Sequence, residues 1–157
     1  TIFVDTGSTT LICAEDLVKI DRLTVITNSV RVAQVIAQNA TNTVYLLGGL
    51  FSGDNAETAG PMVIEQIGRF RADRAVLTVA AFDVDAGAMD SDFDEAQVAR
   101  AMIAHAHQTV VLAHASKLGL RAAFQICRLD EVDVFVCDQV PDQAVVSALD
   151  AAQCVLQ

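Results

Sequence analysis

The chain has 157 residues, of which 53% are apolar and 19% are charged. This composition predicts one globular domain and excludes intrinsic disorder, because a disordered chain buries too little apolar surface to offset its conformational entropy. The 10 basic and 20 acidic residues give a net charge of −10, which disfavours direct contact with nucleic acid or with an anionic membrane surface.

Short β-branched runs alternate with helical patterns along the chain. Strands are predicted at residues 2–4, 23–27, 44–47, 75–79, 109–113, 132–136 and 154–156. Helices are predicted to begin near Thr9 and to span residues 29–39, 62–70, 92–107 and 142–151. Two segments are predicted to be loops, residues 50–60 and 82–92. The alternation predicts an α/β fold, with a mainly parallel, open, Rossmann-like sheet and helices on both faces.

The cysteines are widely scattered and form no C-x-x-C pair: Cys13, Cys127, Cys137 and Cys154. We therefore expect reduced thiols in a cytoplasmic protein, and no metal site. No apolar run reaches the ~18 residues of a membrane span, and no signal peptide is recognisable. Because the chain opens directly on a strand-like run at Ile2, we expect it to be part of a longer protein.

The loop after the first strand is the sharpest local feature. Its residues 4–10 read VDTGSTT, so a glycine and several hydroxyls stand where the next helix should begin. Unpaired N–H groups and the helix dipole favour an anion there, typically phosphate. The spacing matches neither a Walker A loop nor a dinucleotide-binding motif. From the loop alone, a phosphate site and a simple helix cap by Ser8 or Thr9 both remain open.

Three further polar or glycine-rich loops follow predicted strands. Asn28 follows the second strand, Gly48 and Gly49 follow the third, and Lys117 lies after the fifth. Ligands of open parallel sheets bind at the carboxyl ends of the strands, so these loops are expected at one rim. Lys117 could neutralise a phosphate or be an ordinary surface lysine, and Asn28 could bind a sugar hydroxyl or cap a helix.

Acidic residues near the predicted fourth helix allow two interpretations. They are Asp83, Asp85, Asp94 and Glu95. They could supply an acid/base pair, or those at the helix start could complement its dipole. Asp92 followed by Glu95 also resembles a reciprocal helix cap.

Six segments follow one another along the chain: IFVDTGSTT at 2–10, LTVITNS at 23–29, LLGG at 46–49, DEAQVARAMI at 94–103, VLA at 111–113 and SKLG at 116–119. In this order they resemble the C-terminal sensor domain of the DeoR family of bacterial transcription regulators. The resemblance implies the fold shared by ribose-5-phosphate isomerase, glucosamine-6-phosphate deaminase and CoA transferases.

The resemblance also implies a function. The domain would bind a phosphorylated sugar or related metabolite and control a DNA-binding helix-turn-helix located before Thr1, without a cofactor and as a dimer or tetramer. The phosphate would be held by Gly7, Ser8, Thr9, Thr10 and Lys117. The sugar would be lined by Asp5, Asn28, Gly48, Gly49, Asp83 and Glu95.

The chain departs from the family pattern at several positions. Where the family often has glycines after the fourth strand, this chain has Ala80, Ala81 and Phe82, and Phe51 and His114 replace a basic and an acidic residue. These departures leave the effector open. They also leave two alternatives: an isomerase or deaminase with Asp83 or Asp85 as base, and a domain that only dimerises.

Overall fold

The computed structural model describes residues 1–157. Its strands are β1 (Ile2–Val4), β2 (Thr24–Thr27), β3 (Thr43–Leu46), β4 (Leu50–Ser52), β5 (Glu57–Ala59), β6 (Ala72–Thr78), β7 (Ala81–Asp83), β8 (Gly87–Asp90), β9 (Ala106–Ala113), β10 (Phe124–Cys127), β11 (Val134–Cys137) and β12 (Val155–Leu156). Its α-helices are α1 (Ser8–Leu17), α2 (Val30–Ile36), α3 (Pro61–Ile67), α4 (Phe93–Ala104) and α5 (Gln143–Ala151). Two short 3-10 helices span Ala115–Lys117 and Leu129–Glu131.

Seven parallel strands form the main sheet, in the order β12-β11-β9-β6-β1-β2-β3. Alternate side chains of the central strand β1 enter different cores, because Phe3 packs with one apolar cluster and Ile2 and Val4 with another. Helices α3, α4 and α5 contribute to the first cluster, and α1 and α2 to the second. The predicted α/β fold, with a mainly parallel open sheet and helices on both faces, is confirmed.

Two small antiparallel sheets correct the predicted loops. Residues 50–60 contain the β4–β5 hairpin, and residues 82–92 contain most of a β7–β8 hairpin that pairs further with β10. The prediction was wrong there because glycine- and aspartate-rich runs are typical of turns, whereas the partner that completes the sheet, β10, lies more than 30 residues along the chain. Both hairpins rise over the carboxyl-terminal rim of the main sheet.

Two further expectations concern the state of the thiols and the absence of a membrane span. All four thiols are free; Cys127 and Cys154 are buried, and Cys13 and Cys137 are partly buried. None of the helices combines the length and apolar composition needed to cross a bilayer.

Gly87 is required by the β7–β8 hairpin. Its φ is +78°, and a Cβ at this position would lie 2.2 Å from the carbonyl oxygen of Cys127 on β10. We expect Gly87→Ala to lower the free energy of unfolding by about 2–3 kcal/mol, measured by urea denaturation. Gly53→Ala is the control, since Gly53 has open space around it. Equal stability of the two variants would contradict this reading of the hairpin.

Candidate functional site

A cleft of about 650 Å³ opens at the carboxyl-terminal rim of the main sheet. It lies where the crossovers leave β1 and β6 towards opposite faces, since α1 packs in the cluster of Val4 and α4 in the cluster of Phe3. Such a reversal between neighbouring strands leaves a crevice, the usual ligand site of open α/β sheets. The lining residues are Thr6, Gly7, Ser8, Thr9, Leu11, Ile12, Ser29, Arg31, Asn55, Thr78, Val79, Ala80, Asp90, Ser91, Glu95 and Lys117.

The Gly7 loop forms the floor of this cleft. Gly7 is the N-cap of α1 with φ +139°, and a Cβ on it would lie 2.4 Å from Cγ2 of Thr78 on β6. No side chain caps the helix, and the Thr10 hydroxyl donates instead to the Gly7 carbonyl at 3.1 Å. The alternative that Ser8 or Thr9 caps α1 is therefore wrong. Both residues line the cleft beside an N-terminus whose first amides have no protein acceptor.

Two cations flank this floor. Lys117 follows β9 and Arg31 begins α2 after β2, so the strand order places them on opposite sides of the Gly7 loop. Both line the cleft, and neither side chain forms a salt bridge or hydrogen bond. Four other basic side chains form salt bridges, for example Lys19 with Asp16 at 2.5 Å and Arg69 with Glu65 at 2.6 Å. Two free cations beside an uncapped helix N-terminus make this floor suited to an anion.

Sequence reasoning did not single out Arg31. Its position three residues after Asn28, in the first turn of the helix that follows a rim strand, was the available signal. An arginine there was indistinguishable from any other exposed helical arginine until the strand order was known.

One wall of the cleft is acidic. Asp90 ends β8, Asn55 lies in the β4–β5 turn and Glu95 lies in the first turn of α4. The Asn55 amide donates 2.8 Å to Oε1 of Glu95 and 3.2 Å to Oε1 of Glu57, so it bridges the two carboxyl groups. Asp92 caps α4 by accepting from the Glu95 amide at 3.1 Å. The expected reciprocal bond is absent, because the Glu95 side chain turns to Asn55 instead.

This wall holds carboxyl groups with raised pKa values. Burial, followed by the negative charge of Glu57 and Asp90, raises the pKa of Glu95 to about 7. Burial also raises the pKa of Glu57. The pKa of Asp5 is raised chiefly by its complete burial, although its carboxylate accepts from the Thr6 amide at 2.8 Å. Near neutral pH the Glu95 carboxyl group is therefore partly protonated.

Several residues of the predicted site lie behind the cleft surface. Asp5, Thr10 and Asn28 are buried beneath it. Asn28 donates to the carbonyl of Thr58 at 3.0 Å and does not cap α2, since Ser29 performs that role. These side chains support the walls rather than line the space.

Three other predicted residues lie away from the cleft lining. The Gln66 side chain accepts from the Gly48 amide at 3.0 Å and donates to the Gly48 carbonyl at 2.6 Å. A Cβ on Gly49 would lie 2.6 Å from Val63, so Gly49 permits close packing on α3. Asp83 pairs with Arg121 at 3.1 Å, which lowers its pKa. A side chain so paired is a poor general base, and neither Asp83 nor Asp85 lines the cleft.

The departures from the family pattern have structural consequences. Ala80 lines the cleft, whereas the Phe82 ring is fully buried and packs 4.5 Å from that of Phe135. The bulk of Phe82 thus fills the core and not the cleft. His114 lies 3.2 Å from Asp138 on the neighbouring strand end. No group of three or more His, Cys, Asp or Glu side chains is arranged to hold a metal ion.

Comparisons with known proteins show which family this chain resembles in sequence. The model of the DeoR C-terminal sensor domain matches residues 1–139. The chain is 33% identical to the HTH-type transcriptional repressor GlcR of Bacillus subtilis over 95% of the chain, and 33% identical to the HTH-type transcriptional repressor CsqR of Escherichia coli over 98%. It is 30% identical to the glycerol-3-phosphate regulon repressor of Haemophilus influenzae over 90%. These relatives are transcriptional repressors and not enzymes.

The chain spans only part of each relative. It covers 57% of GlcR, 59% of CsqR and 55% of the glycerol-3-phosphate regulon repressor. The similarity therefore concerns the sensor domain that the cleft belongs to.

The raised pKa of Glu95 makes stability depend on pH. The folded protein keeps this proton up to about pH 7, whereas the unfolded chain loses it near the ordinary value of 4.5. Folding is therefore favoured at low pH, and this contribution is lost as the pH rises through about 7. We expect Glu95→Gln to raise the free energy of unfolding at about pH 8 by about 1–2 kcal/mol, allowing for solvent screening, and to have little effect at about pH 5.

Chemical denaturation of both proteins across this pH range measures the effect. Asp94→Asn is the matched control, since Asp94 precedes Glu95 in the same turn but does not line the cleft. An identical pH dependence in wild type and Glu95→Gln would contradict the assignment.

Proposed function

Because this chain belongs to the DeoR family of C-terminal sensor domains, we propose that its cleft binds a phosphorylated sugar or related metabolite without converting it. Binding controls DNA contact by a helix-turn-helix domain that precedes Thr1 in the full-length protein. The observation that carries the proposal is the uncapped N-terminus of α1 between the free cations of Lys117 and Arg31.

The physical argument concerns the phosphate. At neutral pH a phosphate monoester carries nearly two negative charges, which the α1 amides and two cations can meet together. The protein as a whole carries −10, so anions are repelled from most of its surface. Two free cations beside the α1 amides make this cleft a favourable site for an anion. Ser8 and Thr9 add hydroxyl donors beside the amides.

The relatives support this chemistry. The name of the Haemophilus influenzae relative includes glycerol-3-phosphate, a small phosphorylated polyol. The cleft volume of about 650 Å³ lies within the roughly 300–1,000 Å³ of small-molecule sites. As part of a DNA-binding regulator, the protein would act in the cytoplasm.

The site can regulate only if the effector favours one arrangement of the protein over another. The cleft is lined by two groups of elements: the rim of the main sheet, and the β4–β5 turn, β8 and the start of α4. A ligand touching both walls would draw them together. We propose this closure as the step that is transmitted to the DNA-binding domain.

Lys117 provides the direct test of phosphate binding. We expect Lys117→Ala to weaken the binding of a sugar phosphate about 10- to 100-fold in calorimetry, because a charge-assisted hydrogen bond is lost. Arg31→Ala should weaken it in the same direction. Lys19→Ala is the control, since Lys19 is exposed and paired with Asp16 away from the cleft.

Phosphorus NMR on a mixture of sugar phosphates identifies the effector and detects turnover together. Selective broadening of one resonance with no new peak is the expected result. A new peak growing with time would show an enzyme, and equal affinity for a sugar and its phosphate would refute the phosphate site.

We propose further that the domain self-associates through the edge strand β3. Residues 32–53 contain no charged side chain, and Leu46, Leu50 and Phe51 in this stretch are exposed. Two copies that each carry a net charge of −10 repel one another, and this repulsion is weakest where the uncharged surfaces of both copies face each other. The free backbone groups of an edge strand can pair antiparallel with those of a second copy about a two-fold axis.

Light scattering after gel filtration tests the self-association. Leu46→Lys should shift the protein towards the monomer by placing like charges opposite each other. Val140→Lys is the control, because Val140 is 90% exposed but lies outside this stretch. An unchanged oligomeric mass in Leu46→Lys would exclude the β3 edge.

A further inference from the structure

The acidic wall of the cleft contains more hydrogen-bond acceptors than donors. Asp90 and Glu95 line the space, and Asp5 and Glu57 lie buried behind them, 5% and 3% exposed. None of these four carboxyl groups forms a salt bridge with a lysine, arginine or histidine. Carboxylates taken out of water are normally paired with a cation.

Asn55 and Asn28 supply the side-chain amide donors to this wall. The Asn55 amide is shared between Glu57 and Glu95, as described above. The Asn28 amide nitrogen lies 3.5 Å from Oε2 of Glu57, so its side chain points into the carboxyl cluster. Oδ1 of Asn28 is buried and accepts no hydrogen bond, in a side chain only 1% exposed. A buried acceptor without a donor is costly, and it marks a place where a donor is missing.

We propose that this wall binds a protonated amine, so that the effector is an amino sugar phosphate and not its neutral counterpart. The inference rests on the proposed function, in which the Gly7 loop at the floor of the cleft binds the phosphate. The cleft is then matched at both ends, with cations and amides for the phosphate and carboxylates for the ammonium group.

The choice of an amine over a hydroxyl follows from charge and donor number. An ammonium group offers three N–H donors and a positive charge, whereas a hydroxyl offers one donor and no charge. The wall has more carboxyl oxygens than donors to them, and it has no positive charge. A neutral sugar would leave the repulsion between Glu57, Glu95 and Asp90 in place, and the ammonium group would relieve it.

In the free protein, protonation of Glu95 reduces part of the repulsion between the carboxyl groups. Glu95 is surrounded by Glu57 on β5, Asp90 at the end of β8, Asp92 at the cap of α4 and the amide of Asn55. Burial and these neighbours raise its pKa to about 7, so it is partly protonated at neutral pH. An ammonium group favours the ionised carboxylate, so its binding displaces the fraction of a proton that Glu95 still holds, which a neutral sugar leaves in place.

Calorimetry with matched ligand pairs tests the proposal. The pairs are glucosamine 6-phosphate with glucose 6-phosphate, and glucosamine 1-phosphate with glucose 1-phosphate, which differ only in the amine. In one pair we expect the amine to bind at least about tenfold more tightly at about pH 7.5, with proton release seen as a dependence of the heat on buffer. That ratio should fall about tenfold at about pH 5.5, where Glu95 is protonated.

Variants separate charge recognition from a structural role. Glu95→Gln keeps the shape of the side chain and should abolish both the amine preference and the proton release. Both members of each pair are measured with this variant, so that a general loss of affinity is distinguished from a loss of the amine preference. Asp94→Asn, which removes the same charge one residue away, should change neither quantity.

The outcomes distinguish this inference from the proposed function. Equal binding of both members in every pair would overturn the amine site while leaving the phosphate site intact. A preference that survives in Glu95→Gln would also overturn it. Binding of none of the four phosphates would overturn the amine site and the proposed function together.

Discussion

The contact of Gly7 with Thr78 is the constraint on which the candidate site depends. The crossovers from β1 and β6 leave towards opposite faces, and the chain after β1 must pass closely over the end of β6. Only a residue without Cβ fits at this point, and its φ of +139° suits glycine. The tight passage aims the first amides of α1 into the crevice, where no side chain caps them. An electropositive floor therefore results from strand order as much as from residue type.

The rest of the cleft balances this floor with negative charge. Lys117 and Arg31 lie free on either side of it, while Glu95 and Asp90 line the acidic wall of the same cleft. Neither set of charges is neutralised within the protein. Burial raises the pKa of Glu95 and of Glu57 behind it, and the neighbouring carboxylates raise that of Glu95 further. Unpaired charge of both signs across one space destabilises the free domain and favours a ligand of matching polarity. The proposed binding of an effector would draw on this electrostatic imbalance.

Packing determines the structural roles of the residues that the sequence analysis left ambiguous. Phe82, bulky where glycines are frequent, turns inward against Phe135 and leaves the cleft open. Asp83, at the end of β7, forms a salt bridge with Arg121 and does not line the cleft. It is therefore a poor candidate for the base that the isomerase-like alternative requires. The glycine pair Gly48-Gly49 serves the packing of α3 beside the edge of the sheet. Residue type alone could not separate these structural roles from ligand contacts.

The sequence by itself determined the parallel α/β architecture, the seven main strands, and the Gly7 loop with Lys117 at the carboxyl-terminal rim. These features depend on local periodicity and on the rule that parallel strands end at a common edge, both visible within short windows. Only the tertiary structure decided the small antiparallel sheets, the place of Arg31, and the meeting of Asn28, Glu57 and Glu95. Their partners lie tens of residues apart, and their effect arises from burial and mutual repulsion, which exist only once the chain has folded.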